Sequence, residues 1–286
     1  MEQNNEVPKV IFMLQDREPA RLLAISPHLD DAVLSVGAGV AKAARDGVKV
    51  TVYTVFAGTA SPPYSPLAEQ MHEVWGLAPD DDAPLHRRKE DAAALGHLGA
   101  DYRHGRFLDS IYRKSPDGRW LTDRVTGPKQ DDQRTGIDPD LVAEIKEDIK
   151  SAIEECDPTL VVTCAAVGGN RDHVTARNAA LFAARDKNVP IRLWEDLPYA
   201  LFRKGSAVEL PEGFGLGSPK FHPVGTEVRT RKFQAVAEYP SQLAMLDGPE
   251  RNLCARLEEY SRKTSPGHEY GERTWSVVRA GDPINP

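Results

Sequence analysis

Residues 22–39 read LLAISPHLDDAVLSVGAG. The run RLLAIS (21–26) is short, continuous and apolar enough for a buried strand. Ser26-Pro27 ends it, and His28, Asp30 and Asp31 follow at once. From Asp31 the apolar residues recur at helical spacing as far as Gly47, a residue suited to the position just past a helix end. Residues 48–58 (VKVTVYTVFAG) are rich in β-branched side chains and read as a second strand. Strand, helix and strand in this order predict a parallel, right-handed crossover. The alternation repeats along the chain. Helices are expected at 85–100, 138–158 (Asp138 as N-cap, Pro139 in the first turn) and 173–186, with strands at 159–167 and within 191–200. The fold class expected is α/β: a Rossmann-like, mainly parallel sheet with helices on both faces. A C-terminal helical extension is expected from helices near 230–247 and 249–262.

The 286 residues are expected to form a single domain. Residues 1–19 read as a flexible, polar N-terminus, and 59–84 and 101–138 as loop elaborations near the site. The first of these has room for one short helix around LAEQMHEVWGL (67–77). The formal net charge is −7 with both signs interspersed. The basic clusters at 87–89 and 229–232 are short and bordered by acids, which argues against a nucleic-acid partner. Cys156, Cys164 and Cys254 are three in number, widely spaced and without a CxxC, so neither a disulfide framework nor a cysteine zinc site is expected. With no signal-peptide pattern and no apolar run of about 20 residues, the expectation is a cytoplasmic protein without a membrane span.

In open parallel sheets, ligands bind beyond the carboxyl ends of strands. His28, Asp30 and Asp31 fall at such an end. A second cluster has the same placement: LVVTCAAVGGNRDHVTARNA (160–179) runs from a strand through Gly168-Gly169 into Asn170, Asp172, His173 and a helix. If the two ends converge, His28, Asp31 and His173 make a two-histidine, one-carboxylate set, an arrangement known from catalytic zinc sites. Zinc in such a site makes a bound water acidic and polarises a carbonyl. Asp30 points away from its neighbour Asp31 and is placed to take a proton. The competing reading makes Asp30, Asp31 or Asp172 ordinary helix N-caps. On spacing alone the pattern points to a divalent-metal hydrolase.

SPHLDDAVLS (26–35) also resembles the PHxDD signature of the zinc-dependent N-deacetylases related to GlcNAc-phosphatidylinositol deacetylase, the PIG-L or LmbE-like family. RDHVTARNAA (171–180) resembles that family's second motif. RRKEDAAALGHLGA, WEDLPYA and KFQAVAEYPSQL extend the similarity over most of the chain. The resemblance implies zinc, or another divalent metal, on His28, Asp31 and His173, with Asp30 as general base. The implied reaction removes an N-acetyl group from an amino sugar. Many relatives carry a histidine where this chain has Asn170, which can donate a hydrogen bond to an oxyanion but cannot serve as an acid. Tyr199, His222 and His104 are candidate substitutes for that role. Arg88 and Asp109 lie near positions where relatives touch the sugar.

Residues 54–77 and 105–120 further resemble the branch that acts on N-acetylglucosamine of teicoplanin-type or A40926-type glycopeptide precursors. The expected substrate is then a small-molecule amino sugar or a glycopeptide, with Trp75 and Trp120 as candidate residues of a wide mouth. Deacetylases of aminoglycoside or thiol-sugar pathways are the alternative within the family. A nucleotide-dependent Rossmann enzyme is disfavoured, because the first βα turn lacks GxGxxG and presents two acids where a pyrophosphate would sit. A catalytically silent sugar-binding relative is the remaining alternative.

Overall fold

The computed structural model describes residues 20–78, 81–122, 136–202, 207–247 and 252–280. Arg21–Ser26 (β1), Lys49–Thr54 (β2), Asp101–His104 (β3), Leu160–Cys164 (β4) and Ile191–Trp194 (β5) pair in parallel. Phe214–Pro223 (β6) and Gly271–Arg279 (β7) complete the sheet antiparallel, in the order β3-β2-β1-β4-β5-β7-β6. The sheet is covered by Asp31–Arg45 (α1), Ala83–Leu98 (α3), Pro139–Cys156 (α4), Arg171–Asp186 (α5) and Thr226–Ala237 (α7). Pro66–Val74 (α2), Tyr199–Phe202 (α6), Pro240–Leu246 (α8) and Leu253–Thr264 (α9) are shorter or lie outside that layer. The mainly parallel α/β architecture is the one expected.

The strand order places the site. β1 pairs with β2 on one side and β4 on the other, so chain connections leave β1 and β4 in opposite directions and open a crevice beyond their carboxyl ends. These strands are apolar on both faces because helices cover both: Leu23, Ile25, Val161 and Leu193 are fully buried. Their burial fixes where the strands stop, and so where the polar residues after them emerge.

The chain departs from expectation in the C-terminal third. β6 and β7 stand where no strand was expected, and β3 lies within the presumed loop 101–138. β6 carries Pro219, Pro223 and two glycines, a composition that reads as loop, but it is an edge strand, where a missing N–H costs no ladder bond. The helix expected at 230–247 is two helices, because Pro240 cannot continue α7 and instead opens α8. A small satellite cluster, Ala60, Ala68 and Tyr112 with Tyr64, Leu108 and Ile111, joins α2 to the segment after β3 beside the crevice. Residues 123–135, part of the expected loop elaboration, lie outside the described residues, as does the 1–19 terminus. Among the described residues no helix is long and apolar enough to cross a membrane.

Candidate metal centre

The turn after β1 is built from its own residues. Ser26 Oγ donates to His28 O (2.8 Å) and accepts from Ala32 N (3.1 Å), and His28 N donates to Asp31 Oδ2 (2.9 Å). Asp30 precedes the helix at φ 147°, a conformation that costs an L-residue energy, and its side chain makes no capping bond. The N-cap reading of Asp30 therefore fails, which leaves its carboxylate free for the crevice. After β4, Gly168 and Gly169 take positive φ (90° and 71°) to turn the chain back over the strand end. Asn170, not Asp172, caps α5: its Oδ1 accepts from Asp172 N (2.9 Å) and His173 N (3.4 Å). Asp172 is thereby released to point inward.

The two strand ends meet. His28, Asp31 and His173 each offer a ligand atom, and these atoms lie within 4.8 Å of one another. Asp31 Oδ2 is 3.2 Å from His28 Nδ1 and 3.2 Å from His173 Nε2. Despite that distance His173 Nε2 has no hydrogen-bond partner, although it is buried. A buried nitrogen aimed past a carboxylate oxygen, rather than bonded to it, fits a shared cation and is costly without one. The far nitrogens are held by other acids: His173 Nδ1 is 2.7 Å from Asp196 Oδ1, and His28 Nε2 is 3.2 Å from Asp172 Oδ2. Carboxylates behind metal-ligating imidazoles fix ring orientation and tautomer.

The electrostatics agree with a site that needs positive charge. Burial disfavours a charged His28, but the Asp109 charge and hydrogen bonds to Asp172 and Asp31 override it and raise its pKa to about 10. His173 is likewise raised well above the usual range: burial opposes this, and the Asp31 charge and the Asp196 hydrogen bond win. Burial works against ionisation of Asp31 too, yet the His173 and His28 contacts hold its carboxyl well below the carboxylate range. Asp30 goes the other way. Burial and the Asp31 charge push it up to about 7, against partial relief from Arg87 and His28. Two adjacent acids thus take opposite characters, one anionic and one poised to exchange a proton.

Around these groups lies a cavity of about 270 Å³. Asp30, Asn170, Asp109 and Tyr199 line it, with Met71 from α2, Trp75 just past its end, and Gln242, Met245 and Leu246 from α8. Tyr199 sets its ring edge-on to His173 with centroids 5.1 Å apart, and its hydroxyl lies 3.4 Å from Asn170 Nδ2. Asp109 Oδ2 is 3.7 Å from His28 Nε2. The other expected residues are elsewhere. Arg88 donates to Ala57 O (2.6 Å) and Thr59 Oγ1 (3.1 Å). His222 is hydrogen-bonded to Thr274 Oγ1 on the neighbouring strand, and His104 to Asp91. Trp120 sits under Lys114 rather than on the cavity wall. The arginine that faces the cavity is Arg87, 3.9 Å from Asp109 and 4.0 Å from Asp30, with its guanidinium over Trp75. Asp196 and Arg87 were not anticipated. Asp196 follows β5 just as His28 follows β1, so the strand-end rule could have found it.

Comparison with known proteins fits this geometry. The sequence profile of the family described as PIG-L, GlcNAc-PI de-N-acetylase, matches residues 23–184. The 1D-myo-inositol 2-acetamido-2-deoxy-alpha-D-glucopyranoside deacetylase of Mycolicibacterium vanbaalenii is 33% identical over 184 residues, 62% of this chain and 59% of that one. The chain spans about half to three fifths of the length of the first such curated relatives. Among solved structures, the zinc-inhibited form of teicoplanin deacetylase Orf2 superposes with a TM-score of 0.84 at 60% identity, covering 92% of this chain and 100% of that one. The A40926 pseudoaglycone deacetylase Dbv21 superposes with 0.79 at 54%, covering 91% and 98%. With more than half its length under the family profile, the chain belongs to the PIG-L, or GlcNAc-PI de-N-acetylase, family.

Proposed function

We propose that the chain is a zinc-dependent deacetylase that removes the N-acetyl group from an N-acetylglucosaminyl unit of a glycopeptide antibiotic precursor. The observation that carries this reading is the convergence of His28, Asp31 and the orphaned His173 Nε2 beside an Asp30 whose pKa lies near 7. The similarity to glycopeptide deacetylases over nine tenths of the chain supports the substrate class. His28, Asp31 and His173 would hold the metal. When bound, it supplies Lewis acidity towards the amide carbonyl and makes water at the site more acidic.

The chain's own groups then divide the work. Asp30 takes a proton from the attacking water and returns it to the leaving amine, a role suited to a carboxyl that burial and the Asp31 charge push up. Asn170 Oδ1 is occupied by two backbone N–H groups, which orients the amide and leaves Nδ2 to donate towards the oxygen that gains charge. Burial, partly offset by the His173 charge, pushes Tyr199 up to about 12, so its hydroxyl keeps its proton at neutral pH and offers a second donor. Arg87 and Asp109 present a charged pair to the sugar hydroxyls.

The test incubates purified protein with N-acetylated amino sugars and with teicoplanin-type and A40926-type pseudoaglycones. Mass spectrometry scores loss of one acetyl, and metal content is measured in parallel. The wild-type chain is expected to carry stoichiometric zinc and to deacetylate a glycopeptide. His28→Ala and His173→Ala are expected to lose both. A zinc-loaded, fully active His173→Ala protein would overturn the assignment.

A further inference from the structure

Asp172 is fully buried, and both its oxygens are spoken for. Oδ2 accepts from Ser110 N (2.8 Å) and faces His28 Nε2 at 3.2 Å. Oδ1 is gripped by the guanidinium of Arg113, from the segment that follows β3. Arg113 lies over the Phe56 ring at 5.1 Å, and Phe56 in turn packs against the His28 ring with centroids 5.9 Å apart. Its Nε is buried without a partner, so the side chain is committed to this place by Asp172 and Phe56. An unpaired carboxylate in such surroundings would be costly, and Arg113 is the only cation among the described residues that touches this one apart from His28 itself.

We propose that Arg113 is a positioning residue for the metal ligand His28, acting through Asp172. This rests on the metal reading above. Arg113 pins one oxygen of Asp172, so the other is held against His28 Nε2. His28 therefore keeps Nε2 as the outward, hydrogen-bonding nitrogen and presents Nδ1 beside Asp31 and His173. The one guanidinium touches both groups that contact His28, the Phe56 ring and the Asp172 carboxylate. The alternative role is that of a staple, in which Arg113 merely ties the 109–122 segment to α5.

The two roles separate in metal affinity. Removing a group that orients a ligating histidine weakens metal binding roughly 10–100-fold. Zinc dissociation constants are measured by chelator competition on the wild type, Arg113→Ala, Arg113→Lys and Ser115→Ala. The last loosens the same segment at the Ser115–Arg119 turn without touching Asp172. Cobalt-substituted protein gives a visible spectrum that reports ligand geometry independently of turnover. The expected result is weakening in that range and an altered cobalt spectrum for Arg113→Ala, partial recovery for Arg113→Lys, and no change for Ser115→Ala. Should Arg113→Ala misfold, the folded Arg113→Lys variant still decides: unchanged affinity and spectrum in it, or in Arg113→Ala, overturn the proposal. Equal weakening in Ser115→Ala would make Arg113 a staple. A wild-type protein that binds no zinc would instead remove the metal reading, and this inference with it.

Discussion

Asp30 and Asn170 show how single residues in this site hold two duties at once. Asp30 is an ionisable group kept at φ 147° with its carboxyl raised from an ordinary 3.8 to about 7. Because the folded-state pKa is the higher one, the native protein binds a proton that the unfolded chain releases. The group is therefore neutral to stability below about pH 4, and it destabilises progressively as pH rises through the window to about 7. Asp30→Asn removes that charge, and asparagine shares aspartate's tolerance of positive φ. The metal-free variant is expected to melt above the metal-free wild type at pH 8, by about 2 °C or more, and to match it at pH 4. It should also bind zinc and lose most turnover. Equal melting temperatures at pH 8 would mean that Asp30 is already ionised at little cost. Asn170 is the N-cap of α5 and, in the proposed reaction, a donor. Asn170→Asp keeps the capping acceptor and loses the donor, so it should slow the chemical step by one to two orders of magnitude while the melting temperature holds. Asn170→Ala should in addition cost about 1 kcal/mol through the lost cap. Full activity in Asn170→Asp would remove the Nδ2 donor from the mechanism.

Helix α3 carries two adjacent arginines with different fates, and its phase explains which one matters. Arg87, Glu90, Asp91, Ala94, Leu95 and Leu98 are all buried, one stripe at helical spacing, whereas Arg88 falls outside it and turns to Ala57 and Thr59. Arg87→Ala is expected to lower kcat/KM roughly tenfold or more, the worth of one charged hydrogen bond, while Arg88→Ala should stay within about threefold. Reversed effects in steady-state kinetics would show that substrate enters across the Thr59 side. The stripe could have been counted from Ala94, Leu95 and Leu98 back to Arg87, whereas the family resemblance points to Arg88 and misses it. The two clusters that supply His28, Asp31 and His173 were legible, since a buried strand is a continuous apolar run and its end is marked by the first polar residues. Other elements were hidden. β6 tolerates its prolines only as an edge, a property of its neighbours and not of its own residues. Asp172 reads as a cap on local grounds, whereas its partners are Ser110 and Arg113, the latter 59 residues earlier in the chain, and His28.

At the scale of the whole molecule, the C-terminal strand pair reaches back to hold the helix on which the site depends. α1 is broken at Val36 (φ −128°, ψ 18°), and the break exposes backbone N–H groups within the core. Glu272 of β7 answers them: its carboxylate accepts from Ala38 N (2.9 Å) and Gly39 N (2.7 Å) and pairs with the buried Lys232 of α7 at 2.8 Å. Packing here is close: a Cβ at Gly37 would come within 3.1 Å of Lys232 Cγ and one at Gly39 within 3.1 Å of Glu272 Oε2, so either side chain would have to give way slightly. On the other side of the break Ser35 Oγ accepts from Leu197 N (3.1 Å), which ties the start of α1, where Asp31 sits, to the loop that carries Asp196 and leads into Tyr199 of α6. The break thus lets one helix satisfy two neighbours: its first turn faces the candidate metal site and its remainder packs under α7. The two partners of the buried pair are not equivalent. Losing Glu272 strands two N–H groups and a lysine charge, whereas losing Lys232 leaves a carboxylate still held by two donors at a helix start, where negative charge is favoured. Glu272→Ala is therefore expected to cost about 3–5 kcal/mol in denaturant unfolding, and Lys232→Met clearly less. The double variant should cost less than the sum of the two, since the stranded charge is gone. Midpoints that fall equally for both single variants, with an additive double, would mean that the pair does not hold the broken helix and that α1 is kept in place by apolar packing alone.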